Sequence, residues 1–319
     1  MIVQPEDRDV ATRVLTLVIC TANRARDLAF TLQAMRRLRR PAGWTVQLIV
    51  VDNGSTDDTP AVLAAAAPDL PFDLEVVQEA KPGLAAARNA GMAQARGDII
   101  AWTDDDCIPP EDWLEKLVRH FEQDPALDVL GGQVRLFNPS HFPMTVKLDT
   151  MPKVMEAQQF PGDFLLGCNM AFRRSVPARI GAFDDRFGAG APLRAAEDTD
   201  FLHRALTNGC RIAYQPDVLL YHNHGRVTHD QVMRLRRSYN YADGAFLMKC
   251  LLAGERMAPR WMYWRLAALF ARVLRPPAWL TARRDNTRLL LDFLVGAAAF
   301  TRCAMSSSAS RSCRPDRMA

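Results

Sequence analysis

None of the seven cysteines, scattered singly from Cys20 to Cys313, forms a Cys-x-x-Cys pair. That absence argues against a structural zinc site, and an odd, unclustered set argues against a disulfide framework. A reducing, cytoplasmic setting is the expectation. Residues 1–9 are polar and acidic and lack the cationic start and apolar stretch of an export signal. Long apolar runs are also missing. The most apolar window, residues 289–304, falls short of the roughly 20 residues that span a bilayer, and Asp292 interrupts it. The Arg-rich stretch at residues 234–237 has no interleaved aromatic pattern, so nucleic acid is not an expected partner. Nor does the chain repeat itself.

What the chain does have is a polarity of charge. From Arg204 to the end there are 19 basic and 7 acidic residues, against 21 basic and 29 acidic before it. The acidic part is where metal and catalytic carboxylates are to be sought, and the basic part suits an anionic membrane surface or a phosphorylated acceptor. With 319 residues, 49% of them hydrophobic, the chain can bury one large core and carry a smaller appendage.

The first hundred residues alternate strand-like and helix-like patterns. Apolar, β-branched runs at 14–20, 46–51, 74–78 and 99–103 alternate with helical patterns at 28–39, behind a candidate Asp27 cap, at 59–67 and at 84–96, the last closed by Gly97. This order predicts a mostly parallel, Rossmann-like α/β sheet flanked by helices, with ligands bound at the carboxyl ends of the strands. Further on, a helix is expected at 111–123, a strand at 129–137, a helix at 198–208 and a strand at 211–221. After about Thr228 the composition turns to Arg, Leu, Ala and Trp, with helices expected at 231–252, 261–274 and 288–302. The expected division is a catalytic domain at 10–227, a C-terminal helical region at 228–305 and a disordered tail at 306–319. Trp261, Trp264 and Trp279 beside many arginines fit an amphipathic surface lying in lipid headgroups. A helical pair packed on the catalytic domain explains them equally well.

The apolar strand Ile99-Ile100-Ala101-Trp102-Thr103 ends in Asp104, Asp105 and Asp106. Alternation along a strand points Asp104 and Asp106 one way and Asp105 the other. Two converging carboxylates repel unless a cation offsets them, and hard oxygen ligands suit Mg²⁺ or Mn²⁺ bound together with phosphates. Asp52 ends another predicted strand, where a carboxylate can accept from a base N–H or a ribose hydroxyl, or simply form a turn.

Taken together, Thr21-Ala22-Asn23-Arg24, Val51-Asp52-Asn53-Gly54-Ser55-Thr56-Asp57, Lys81-Pro82-Gly83-Leu84-Ala85-Ala86-Ala87-Arg88-Asn89 and the Asp triplet resemble the successive signatures of family 2 glycosyltransferases, in order and approximate spacing. The resemblance spans roughly residues 14–224. It implies the GT-A fold, a nucleotide-diphosphate-sugar donor, a Mn²⁺ or Mg²⁺ cofactor and inversion at the anomeric carbon. By analogy Thr21, Asn23, Arg24, Lys81, Gly83 and Arg88 would line the nucleotide-sugar pocket and Asp52 would hold the base. Asp104 and Asp106 would form the DxD pair bridging ribose and metal, with Asp105 also in the nucleotide-sugar pocket. Gly167-Cys168-Asn169 resembles a segment near the bound sugar, where a small residue admits backbone to the ligand. Glu197-Asp198 resembles the acidic pair that carries the catalytic base. Asp198 is the choice here, Glu197 its rival and a charged helix cap the plain alternative. His222 and His224 follow a strand, and either can complete the metal shell. The glycines at 188 and 190 suggest a flexible lid.

The implied reaction is transfer of a sugar to a glycan or lipid-linked acceptor at the inner face of the membrane. A nucleotidylyltransferase would need a Gly-rich phosphate loop after the first strand, which Thr21-Ala22-Asn23-Arg24 does not provide. A catalytically silent, membrane-associated scaffold with the same fold is the remaining alternative.

Overall fold

The computed structural model describes residues 13–274 and 280–312. Residues 1–12, 275–279, Trp279 among them, and 313–319 lie outside the described part. Four strands, β1 (Arg13–Thr21), β2 (Trp44–Asp52), β3 (Leu74–Gln78) and β4 (Ile99–Asp104), alternate with α1 (Ala25–Met35), α2 (Thr59–Ala66) and α3 (Leu84–Gln94). They pair in parallel in the order β3-β2-β1-β4. Leu15, Leu17, Val18 and Ile19 of β1 and Leu48 to Val51 of β2 are fully buried, because helices cover both faces. The Ala-rich α3 lies close against this sheet. A Cβ at Gly91 would stand 2.6 Å from Val18 Cγ1, so only glycine fits the crossing.

The sheet then changes character. After β5 (Cys107–Ile108) and α4 (Trp113–Gln123), β6 (Leu127–Leu136), β7 (Lys153–Val154), β8 (Met170–Arg173) and β9 (Arg211–His222) extend it in the order β4-β8-β6-β9-β5, with β7 also on β9. β8 runs antiparallel between β4 and β6. A register shift between β6 and β9 falls at Gly132, whose added Cβ would overlap the Val218 carbonyl oxygen at 1.9 Å. α5 (Ser175–Ile180) and α6 (Glu197–Thr207) complete this half.

Three helices follow: α7 (His229–Leu252), α8 (Ala258–Leu274) and α9 (Leu280–Ser312). Thr228 caps α7 in a reciprocal capping box with Gln231. α7 and α9 approach at backbone distance. An added Cβ at Gly244 would meet the Phe293 carbonyl oxygen, and one at Gly296 the Tyr241 carbonyl oxygen, each at 1.9 Å. These helices bury Phe246, Leu269, Phe293 and Phe300 in a cluster shared with Phe187 and Leu193. α9 continues past Ser306, where the tail is expected to begin, as far as Ser312.

Two local expectations also change. Asp27 does not cap α1; it lies in the first turn, and the Ala25 amide donates to Asp57 at 3.0 Å. The 188–192 loop is packed rather than free. Leu84 N donates to the Ala189 carbonyl at 2.8 Å, and Phe187, Ala191 and Leu193 are buried.

Candidate active site

β1, β2 and β4 end side by side, so their terminal polar residues meet at one edge of the sheet, as parallel pairing requires. Asp52 is buried there, its carboxylate accepting from Ser55 N at 2.9 Å and Gln78 Nε2 at 3.3 Å. Asn23 holds positive φ and accepts from Thr56 N at 2.8 Å, tying the loop after β1 to the loop after β2. Gly83, also at positive φ, donates to Asn53 Oδ1 at 2.9 Å as α3 begins. Lys81 reaches outward to Asp185.

The three aspartates part company. Asp105 is a scaffold residue rather than a free ligand. It is buried, accepts from Thr21 Oγ1 at 2.7 Å and lies 3.3 Å from Arg24 Nε, while Thr31 Oγ1 donates to its carbonyl. Burial pushes its carboxyl up to about 7 despite Arg24. Asp106 faces Arg24 Nη2 at 2.9 Å and His222 Nε2 at 3.1 Å. Burial would raise its pKa, but the hydrogen bonds and charges of His222 and Arg24 hold it below the usual carboxylate range. Asp104, with a side chain about 34% exposed, lies 3.7 Å from Arg88 Nη2.

The structure separates the two histidines. His222 Nδ1 is 3.0 Å from Thr145 Oγ1, which leaves Nε2 turned to Asp106; Asp106, Cys107 and His222 together can surround an ion. Of these, the Asp106 carboxylate and the His222 imidazole, one ring nitrogen presented and the other held in place, suit a divalent cation, whereas burial keeps the Cys107 thiol protonated and a poor donor to a hard ion. His224 does not fit. Its Nε2 contacts the Phe142 carbonyl at 3.1 Å and its Nδ1 accepts from Arg226 N at 3.0 Å, so both nitrogens are committed. Cys107 had no marker in the sequence beyond adjacency to Asp106.

On the other side of Asp104 the chain returns from far away. Arg88, which a helix-surface reading would expose, is buried, and its Nη1 lies 3.0 Å from Glu197 Oε1. Burial opposes the Arg88 charge, but Glu197, Asp104 and Asp198 outweigh it and raise its pKa. Burial, reinforced by the adjacent Asp198, pushes the Glu197 carboxyl up to about 7 against the pull of Arg88. Asp198 accepts from Gly167 N at 3.0 Å and Thr199 N at 2.7 Å. Both contacts fix the direction of its carboxylate at the head of α6. A Cβ on Gly167 would stand 2.8 Å from Arg88 Nη2 and 3.0 Å from Asp198 Oδ2, so both groups converge on bare backbone. Asn169 is corrected. It is fully buried, accepting from Trp113 Nε1 and donating both amide hydrogens to the Gln133 and Val218 carbonyls, so it faces the core and not the cleft.

A glycosyl transferase family 2 model matches residues 16–181, just over half of the chain, and a glycosyl transferase family group 2 model matches residues 99–302. The chain belongs to glycosyltransferase family 2. This family 2 transferase is 26% identical over 255 residues to the succinoglycan biosynthesis protein ExoM of Rhizobium meliloti (strain 1021), covering 70% of this chain and 78% of ExoM. Among solved structures it resembles the mannosyltransferase PcManGT from Pyrobaculum calidifontis in complex with GDP-Man and Mn²⁺. That likeness has a TM-score of 0.61 at 21% identity and covers 89% of this chain and 86% of PcManGT. It also resembles S. aureus TarS 1–349 in complex with UDP-GlcNAc, with a TM-score of 0.53 at 16% identity, covering 90% and 73% respectively. The fold is GT-A.

Proposed function

We propose that this transferase moves a sugar from a nucleotide-diphosphate-sugar donor to an acceptor hydroxyl, with inversion at the anomeric carbon, in polysaccharide or glycolipid biosynthesis. The reading is carried by the convergence of Asp198 and Arg88 on Gly167, with Asp104 beside Arg88 at the end of β4. In-line displacement needs a carboxylate fixed opposite the leaving group, and two backbone amides fix Asp198 in direction. Glu197, the rival base, is engaged by Arg88 and serves to hold that cation in place. Asp52, at the end of β2, takes the base or ribose, and Asn23 and Gly83 shape the loops around it. Arg24 and Arg88 place positive charge near the departing diphosphate.

Asp106 and His222, with Asp104, would hold Mn²⁺ or Mg²⁺, which when bound offsets the charge of the diphosphate leaving group. The donors in the PcManGT and TarS complexes, GDP-Man and UDP-GlcNAc, and the Mn²⁺ of the former support this class of donor and cofactor. The succinoglycan role in the ExoM name supports a glycan or lipid-linked acceptor.

The catalytic domain is assigned to residues 10–227 and an accessory helical region to 228–305, which meets the inner face of the cell membrane peripherally. Among the described residues no helix is long and apolar enough to cross a membrane. Yet α8 exposes Tyr263 (65%), Trp264 (61%) and Leu274 (79%), with exposed Arg260 and Arg272 nearby. α9 exposes Leu291, Leu294 and Val295. Aromatic and aliphatic side chains among arginines fit an anionic lipid interface.

Calorimetry with UDP, GDP and dTDP sugars, with and without Mn²⁺, tests the catalytic reading. One donor class should bind in a metal-dependent way, and Asp106→Ala should abolish that dependence; a folded chain that binds no donor would leave only a silent scaffold. Co-sedimentation with phosphatidylglycerol vesicles tests the lipid surface. Binding should weaken in Trp264→Glu and on phosphatidylcholine alone, and a chain indifferent to all vesicles has no such surface.

A further inference from the structure

We propose that Lys249 is a positioning residue for the Glu197–Asp198 pair, so that the C-terminal helices complete the active site. The proposal rests on the transferase reading above, with Asp198 as base. Lys249 lies in the last turn of α7, and its ammonium reaches Asp184 Oδ2 at 2.7 Å and also Asp200 Oδ1. Those two aspartates stand at either end of the stretch that carries the catalytic pair. Asp200 is 1% exposed in the first turn of α6 and shares its charge with Arg204 Nε at 2.9 Å. Asp184 opens the incoming loop and also receives Arg186.

The stretch between them needs outside support. Arg194 and Ala196 hold φ of 72° and 68°, a left-handed conformation that a Cβ makes costly. Ala196 immediately precedes Glu197, so its backbone sets how the first turn of α6 presents both carboxylates. The C-terminal helices supply that support in several places. Phe187 and Leu193 are buried among Phe246 of α7 and Phe293 of α9, the Arg186 guanidinium lies 4.9 Å from the Phe300 ring centre, and that of Arg194 lies 4.0 Å from the ring centre of Tyr241. Lys249 joins both ends of the loop in one contact and, with Arg186 and Arg204, offsets the two carboxylates that it brings together. An ordinary docking ion pair would instead affect stability, donor binding and turnover together.

The test uses the full chain with Lys249→Met and Lys249→Arg, and the nucleotide sugar that the native chain binds. Donor affinity is read by calorimetry, nucleotide release with water as acceptor by coupled assay, and backbone protection by amide hydrogen exchange. Lys249→Met should keep donor Kd within about threefold yet lose about tenfold or more in nucleotide release. Its amides at 185–199 should exchange faster while those at 14–21 and 46–52 do not change, and Lys249→Arg should recover most of the turnover. Unchanged exchange at 185–199 in folded Lys249→Met overturns the proposal whether or not turnover is measurable. An equal loss of affinity and turnover that arginine does not rescue overturns it too. A native chain that neither binds nor hydrolyses any donor sinks the transferase reading instead, and the exchange result still decides on Lys249.

Discussion

Asp52 and Asp104 arrive at the site from the ends of parallel strands, Asp52 oriented by the turn that follows it and Asp104 beside Arg88. Asp198 arrives from a helix whose head is held by Gly167, 31 residues back, and whose neighbour Glu197 is held by Arg88, 109 residues back. The frame of the donor side is thus set by the ends of neighbouring parallel strands, onto which Arg24 and His222 close from a distance. The base side is assembled by long-range contacts among α3, the loop before β8, α6 and the C-terminal helices. On the proposed function, donor binding and proton removal should therefore be separable by mutation, although Arg88 touches both sides.

The largest separation is expected from Asp198→Asn. Transfer should fall by roughly 10²–10⁴-fold, the usual span for loss of a general base, while calorimetric donor affinity stays near native. Donor affinity lost in parallel would join the two sides into one unit and break the comparison. A smaller effect is expected from Gly244→Val, whose side chain meets the Phe293 carbonyl and forces α7 from α9. Overpacking of this kind costs about 1–3 kcal/mol, read as a shift of the denaturant midpoint. Hydrogen exchange should rise in α7, α9 and residues 184–200 and remain native in β1 and β2.

The smallest effect concerns Glu197, whose carboxyl sits at about 7 instead of the ordinary 4.5. Between those values the folded chain binds more protons than the unfolded one, so this group lowers stability as pH rises from 4.5 to 7, and no further above that. Glu197→Gln removes the titration. The stability of the variant relative to native should therefore increase on going from pH 5 to pH 8, by on the order of 1 kcal/mol for each pH unit crossed below 7, since a pKa unit corresponds to about 1.4 kcal/mol. A difference independent of pH would show that Glu197 is ionised throughout, like an exposed carboxylate.

The same contrast explains which residues were legible in the chain. Apolar runs ending in Asp52 and Asp104–Asp106 revealed both the sheet and its functional edge, because a parallel strand buried on both faces leaves a clear signature. Segments where function depends on a partner far along the chain misled the reading. Gly167-Cys168-Asn169 divides in the fold: Gly167 lies against the Asp198 carboxylate, but Asn169 is turned to Trp113 and two carbonyls. His222 and His224 share a spacing that fits one strand face, and only the Phe142 carbonyl and the Arg226 amide take His224 away. Glycines at 188 and 190 suggested a lid, yet their positive φ serves a packed turn. Lys249 carried no signal at all, since a lysine late in a helix is most simply a solvated one.

Sequence alone determined the strand and helix alternation of the first hundred residues, the placing of acidic groups at strand ends and the change to a basic helical region, because each follows from local periodicity, turn chemistry and composition. Tertiary structure alone decided which acid meets which cation, which histidine faces Asp106, and that the C-terminal helices grip the loop before Asp198. Those outcomes depend on burial and on contacts between distant segments, where a charge is stable only if the fold brings it a partner.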